Sequence, residues 1–176
     1  MEFVISQILG VFVSIAAIIS MQLKNVKSIL VCQLICNALG AFSYIYVGGF
    51  SGCGIYFVAL FQTVLYYYLR KREINTSNIL TAFFVLAYLF CSITTYKGYE
   101  DVFSAVAAVT CALALSQNKA FMYRLFMLFN GCIWSVYDIS VGAYTMIISH
   151  AVTALSAFVG MIRLDYKSRV GEYKND

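Results

Sequence analysis

Seven apolar blocks, most of them long enough to cross a bilayer, occupy almost all of this sequence. They run over residues 3–21, 29–47, 52–69, 79–95, 102–115, 122–141 and 144–162. A hydrocarbon core of ~30 Å requires about 20 residues of helix. The fifth block is the short one, and its ends are expected to extend toward Glu100 and Asn118. In lipid a segment must satisfy its own backbone hydrogen bonds, so blocks of this length predict an all-α membrane protein with seven transmembrane helices. With 62% hydrophobic and 11% charged residues, the chain lacks the charge to cover a soluble core. Residues 1–20 are read as the first helix and not as a leader. Glu2 is the early charge, no basic n-region precedes the apolar run, and more apolar blocks follow.

The formal net charge of +4 is no sign of nucleic-acid binding, because the basic residues lie between the apolar blocks. Lys24 and Lys27 follow the first block, and Arg70, Lys71 and Arg72 the third. Lys119 and Arg124 follow the fifth, and Arg163, Lys167, Arg169 and Lys174 the seventh. With the N-terminus outside, these eleven of the twelve basic residues are cytoplasmic, and Lys97 alone is external beside Glu100 and Asp101. Positive charge resists translocation, so the expected topology is N-out and C-in, with the bilayer as the first partner. Uncharged breaks at Gly48-Gly49 and Gly142 suit tight turns. Tyr66, Tyr67, Tyr68, Tyr96 and Tyr99 suit the interfacial belt, and Arg124 is expected to snorkel to the cytoplasmic surface.

A shift of 93 residues superposes the first three blocks on the last three. It pairs Asn25 with Asn118, Asn37 with Asn130, Tyr44 with Tyr137, Gly49 with Gly142, and Arg70 with Arg163. The identities are few, but Asn-x6-Tyr-x4-Gly recurs without a gap. The layout therefore predicts a 3+1+3 arrangement of parallel triple-helix-bundle repeats. Residues 3–69 form the first repeat, 79–95 the linker helix, 102–162 the second repeat and 163–176 a cytoplasmic tail.

The stretches Gln33 to Leu65 and Asn130 to Arg163, with Gln33-Leu34, the glycine-turn spacing, Cys132-x-Trp134 and Ile162-Arg163, carry a family resemblance. The chain resembles the YgjV-like bacterial inner-membrane proteins over nearly its full length. In architecture it is similar to the SWEET and PQ-loop carriers of small solutes and to the PnuC vitamin carriers. That resemblance implies a multi-pass protein of the bacterial inner membrane. The sequence departs from those carriers in having no proline at all. Any helix kink is then left to Gly10, Gly40, Gly54, Gly131 or Gly160.

Polar side chains in hydrocarbon are costly and usually face the bundle interior. Asn37 and Asn130 fall near the middle of the second and sixth helices, at the depth where repeat-built carriers bind substrate. An amide both donates and accepts, which suits a hydroxyl-rich or heterocyclic solute, but it also serves to bond neighbouring helices. Asn130, Trp134 and Asp138 follow i, i+4, i+8 along one stripe. The resemblance to SWEET carriers implies that Trp134 and Asn130 flank a solute. Gln33 shares a face with Asn37, Tyr44 follows seven residues on, and Gln62 is expected to reach the same cavity. His150 and Asp138 are candidates for proton coupling, since histidine titrates near neutral pH.

Six cysteines with one histidine and no CxxC leave no zinc set, and no cofactor is expected. Cys32 and Cys36 share a helix face, as packing residues or as a redox or metal pair. The sequence also lacks HExxH and GxSxG, so no enzyme is expected. A carrier of a small polar solute working by alternating access is the leading reading. A non-transporting scaffold is the alternative, and a membrane redox enzyme comes third.

Overall fold

A computed structural model describes residues 2–47, 50–96, 98–141 and 144–166. Among these residues the secondary structure is entirely helical. The helices are α1 (Glu2–Met21), α2 (Val26–Val47), α3 (Phe50–Lys71), α4 (Asn78–Thr94), α5 (Glu100–Ser116), α6 (Ala120–Val141) and α7 (Tyr144–Gly160). A π-helical turn, Met161–Tyr166, continues α7. All seven expected helices are present. α5 reaches Glu100 at one end and stops at Ser116 at the other, and α2 begins at Val26, earlier than the apolar block that announced it. The Gly48-Gly49 and Gly142 breaks, Lys97 and the tail beyond residue 166 lie outside the described residues.

Local chemistry sets the helix ends. Ser77 caps α4 by accepting the Ile79 amide at 3.2 Å, and Glu100 and Asp101 place negative charge at the N-terminus of α5. α3 ends in a Schellman motif, in which the Ile74 amide donates to the Leu69 carbonyl and the Glu73 amide to that of Arg70. This motif forces Glu73 to φ 60°, a left-handed backbone that glycine adopts without strain. Glu73→Gly is therefore expected to stabilise the fold by about 1 kcal/mol, read as a higher unfolding midpoint in detergent.

Six helices close a ring in the order α1, α2, α3, α5, α6, α7, with α7 packed back on α1. α4 stands outside the ring against α3 and α5. Close helix contact depends on missing side chains. A Cβ at Gly131 of α6 would lie 2.9 Å from the His150 carbonyl of α7, and one at Gly160 would lie 2.6 Å from the Met21 carbonyl of α1. These glycines, expected as kink sites, serve at least as contact sites.

The distribution of polarity is inverted relative to a soluble protein. Large apolar side chains face outward, Phe61 being 70% and Ile79 83% exposed, while Gln33, Asn37, Gln62, Arg124, Asn130, Asp138 and His150 are buried. Water would expel such an exterior, whereas lipid tails accept it. α1, α2, α3 and α7 (with its π-turn as far as Asp165) are each long and apolar enough to cross a membrane, and α4 is a shorter apolar helix. α6 matches them in length but carries Arg124, Asn130 and Asp138, all turned inward.

Candidate functional site

Asn37 and Asn130 stand on α2 and α6, which face each other across the ring. They lie about 16 and about 15 Å along their helices, counted at ~1.5 Å per residue from Val26 and Ala120. Between them is an interior cavity of about 50 Å³, lined by side chains from all six ring helices and from none of α4. Gln33, Asn37, Asn130, Trp134 and His150 line it, joined by Cys36, Tyr56, Cys111, Ser149 and Thr153.

The two amides are each half engaged. Asn37 Nδ2 donates to Thr63 Oγ1 at 2.9 Å, tying α2 to α3, and Asn130 Nδ2 donates to the Ala107 carbonyl at 2.6 Å, tying α6 to α5. No donor among the described residues reaches either Oδ1. Gln33 repeats the pattern, its Nε2 donating to Ser20 Oγ on α1 at 3.2 Å. The residues that bind helices together thus keep acceptors in hand at the cavity.

Toward the end of the ring where α6 finishes and α7 begins, the site becomes ionisable and aromatic. His150 Nδ1 lies 2.6 Å from Asp138 Oδ2, and the Tyr44 hydroxyl donates to Asp138 Oδ1 at 3.0 Å. Three helices therefore converge on one buried carboxylate. Trp134 stacks on the imidazole with centroids 5.5 Å apart and planes 18° apart, and packs against Tyr44, Tyr56 and Tyr137. Nδ1 being engaged, Nε2 of His150 has no protein partner among the described residues. Tyr44 and Asp138 do not line the cavity but stand directly behind His150.

Other expected placements differ. Gln62 is turned away from the cavity: its Nε2 donates to the Ala112 carbonyl at 3.1 Å and its Oε1 accepts from the Tyr88 hydroxyl at 3.0 Å. Its depth was legible, but the direction of its helix face was not. Arg124 does not snorkel. It is fully buried: its Nε donates to the Met21 carbonyl, its Nη2 to that of Leu23, and its Nη1 to both carboxylate oxygens of Asp165, at 2.7 and 2.9 Å. The unsatisfied carbonyls at the end of α1 offer it more than water would. Tyr66 is buried as well, whereas Tyr68, Tyr96 and Tyr99 are exposed. Cys32 and Cys36 are both free thiols.

The sequence reading missed Tyr56, Ser149 and Thr153. For Ser149 and Thr153 a signal existed, since with His150 they make a polar stripe at i, i+1, i+4 on α7. Tyr56 is one tyrosine of fourteen and carried none.

A helical chain with an apolar exterior and its polar side chains gathered inward is an integral membrane protein. The family model Imp-YgjV, described as bacterial inner membrane protein, matches residues 4–168. The chain belongs to that family. No curated protein and no solved structure matches it.

Proposed function

We propose that the protein is a carrier for a small polar solute, with the α2–α6 cavity as its binding site. The observation that carries this reading is the pair of half-engaged asparagines at matched depth on opposite sides of the ring. Their free oxygens accept hydrogen bonds from a hydroxylated or N–H-bearing solute, and the Trp134 face covers its apolar side. At about 50 Å³ the cavity holds only a few waters, against roughly 300–1,000 Å³ for ligand pockets. The structure is thus read as a closed state, and admitting solute requires the ring to open at one end.

In this reading all seven helices span the inner membrane with the N-terminus outside. In support, Lys24, Lys27, Arg70, Lys71, Arg72, Lys119, Arg124 and Arg163 gather at one end, and Glu2, Glu100 and Asp101 stand at the other. The 3+1+3 duplication draws support from the packing order. Exchanging α1–α3 with α5–α7 turns the α1–α7 contact into the α5–α3 contact, and both are present. Rocking of one three-helix unit against the other then exposes the asparagines alternately to the two sides.

Proton coupling fits the same site. Asp138 is met by His150 from α7 and Tyr44 from α2, and Tyr56 of α3 and Tyr137 of its own helix lie within electrostatic reach of it, with Asp101 and Glu100 of α5 within reach of Tyr137. A proton taken up at His150 Nε2 from the cavity is balanced by the Asp138 carboxylate behind the ring. The same reading takes the protein as a carrier and not as an enzyme.

A second reading, a non-transporting scaffold, is favoured by the Asn37–Thr63 and Asn130–Ala107 bonds, which are helix ties in their own right. A thermal-stabilisation screen of purified protein against sugars, vitamins and amino acids separates the two, since a ligand bound only by the folded state raises its midpoint. With the solute found, Asn37→Ala and Asn130→Ala are each expected to abolish proteoliposome uptake while the protein remains folded. Normal uptake by both variants would sink the carrier reading.

A further inference from the structure

A second cavity, of about 490 Å³, opens at the basic end of the ring. It lies between the α1–α2 connector, the C-terminus of α3 and the α5–α6 connector. Lys24, Lys27 and Arg70 line it against a single carboxylate, Glu73. Two helices begin at its wall, α2 at Val26 and α6 at Ala120, each adding the partial positive charge of a helix N-terminus. Basic residues at this end have an ordinary explanation in membrane topology, so charge alone assigns no site.

Arg70 supplies the independent observation. Its residue is 7% exposed, and its Nη2 donates to the Leu115 carbonyl at 3.0 Å and to that of Gln117, capping the end of α5. Its Nε and Nη1 are buried and have no acceptor among the described residues. Three of its five N–H groups are thus removed from water without compensation, a costly state for a cation. The Tyr123 hydroxyl, one turn into α6 from Ala120, is buried and unpartnered as well. Arg124 at the same end makes the contrast: its guanidinium is met by two carbonyls and a carboxylate.

We propose that this vestibule is an oxyanion site, with Arg70 as its anchor and Lys24 and Lys27 at its mouth, built for a phosphate group. Guanidinium matches the geometry of phosphate oxygens, and the flexible lysines add charge without demanding one pose. The phosphate can belong to a soluble molecule or to an anionic lipid headgroup at the membrane surface. The site stands apart from the α2–α6 cavity, with which it shares no lining residue, and its assignment does not depend on solute carriage.

The test uses full-length protein purified in a zwitterionic detergent. Its unfolding midpoint is followed against inorganic phosphate at constant ionic strength, and separately against added phosphatidylglycerol or phosphatidylcholine. A saturable rise with phosphate is expected for the native protein. The K24Q/K27Q double variant, whose native lysine side chains make no hydrogen bond or ion pair among the described residues, should need about tenfold more phosphate for the same rise. Glu73→Gln, which removes the opposing charge, should need less. A rise with phosphatidylglycerol alone, lost in K24Q/K27Q, assigns the site to a lipid headgroup and equally supports it. If neither phosphate nor phosphatidylglycerol raises the midpoint, or if K24Q/K27Q responds as the native protein does, the site is refuted. Arg70→Gln also removes a cap of α5, so a folding failure of that variant leaves the lysine and Glu73 variants to decide.

Discussion

Asp138→Ala is expected to lower the stability of the protein by about 3 kcal/mol. Ordinary polar contacts between membrane helices contribute only about 0.6 kcal/mol on average, because a helix deprived of one partner finds another. The Asp138 site differs in kind. One carboxylate, without exposure to solvent, holds the His150 imidazole at 2.6 Å and the Tyr44 hydroxyl at 3.0 Å, so its loss orphans a group on each of two other helices. Trp134, stacked on that imidazole, leaves it little room to turn toward water. Asp138→Asn keeps the shape and an acceptor for Tyr44, and should cost about 1 kcal/mol. A double-mutant cycle with His150→Ala measures the coupling, expected at between about 1 and 3 kcal/mol. A loss under 1 kcal/mol for Asp138→Ala would mean that water replaces the carboxylate and that the three groups do not act together. The same variants examine proton coupling. If the proposed carriage is coupled to protons through this site, uptake by the native protein is expected to depend on pH and uptake by Asp138→Asn to lose that dependence; a variant that keeps it would place the coupling proton elsewhere.

Arg124→Met should be comparably damaging, again by about 3 kcal/mol, for a different reason. Arg124 joins three parts of the chain that are far apart in sequence. From the first turns of α6 it caps the last carbonyl of α1, at Met21, and that of Leu23 in the α1–α2 connector, and it holds Asp165 in the turn after α7. Methionine fills a similar volume but strands two carbonyls and a carboxylate. Arg124→Lys should recover little, because one ammonium cannot replace three nitrogens that reach two carbonyls and a carboxylate in different directions. The seat is built around Gly160, where a Cβ would come within 2.9 Å of Arg124 Nε and 2.6 Å of the Met21 carbonyl. Unfolding midpoints of the two variants in detergent decide the matter. If lysine restores native stability, the charge matters and the fork geometry does not.

Much of the candidate site was legible because hydrocarbon penalises polar groups so strongly. Asn37, Asn130 and Asp138 drew notice simply by interrupting apolar blocks, and the structure turns all three inward. The i, i+4, i+8 stripe of Asn130, Trp134 and Asp138 is one face of α6, though the cavity takes only its first two members. Gln62 shows where such reasoning stops. It lies as deep as its neighbours, but its helix packs on α2, α4 and α5 besides facing the cavity, and it bonds to α4 and α5. Arg124 failed by the opposite error. A long cation near a helix end can snorkel, but here it is seated on the carbonyls of Met21 and Leu23, where α1 ends.

Sequence alone determined the solvent, the helices and their approximate ends, because apolar length and charge spacing are properties of local chain and bilayer thickness. It also singled out the polar residues that lipid would refuse. Only the tertiary structure decided how the helices close, with six in a ring, α4 outside, and α2 facing α6 across the cavity. The Asp138–His150–Tyr44 contact, the two buried arginines and the inward turn of Tyr56 were decided there too. Each depends on which helix stands beside which. Pairwise packing in lipid is set by side-chain shape and by the few polar groups that meet, and a helix read by itself does not reveal its neighbours.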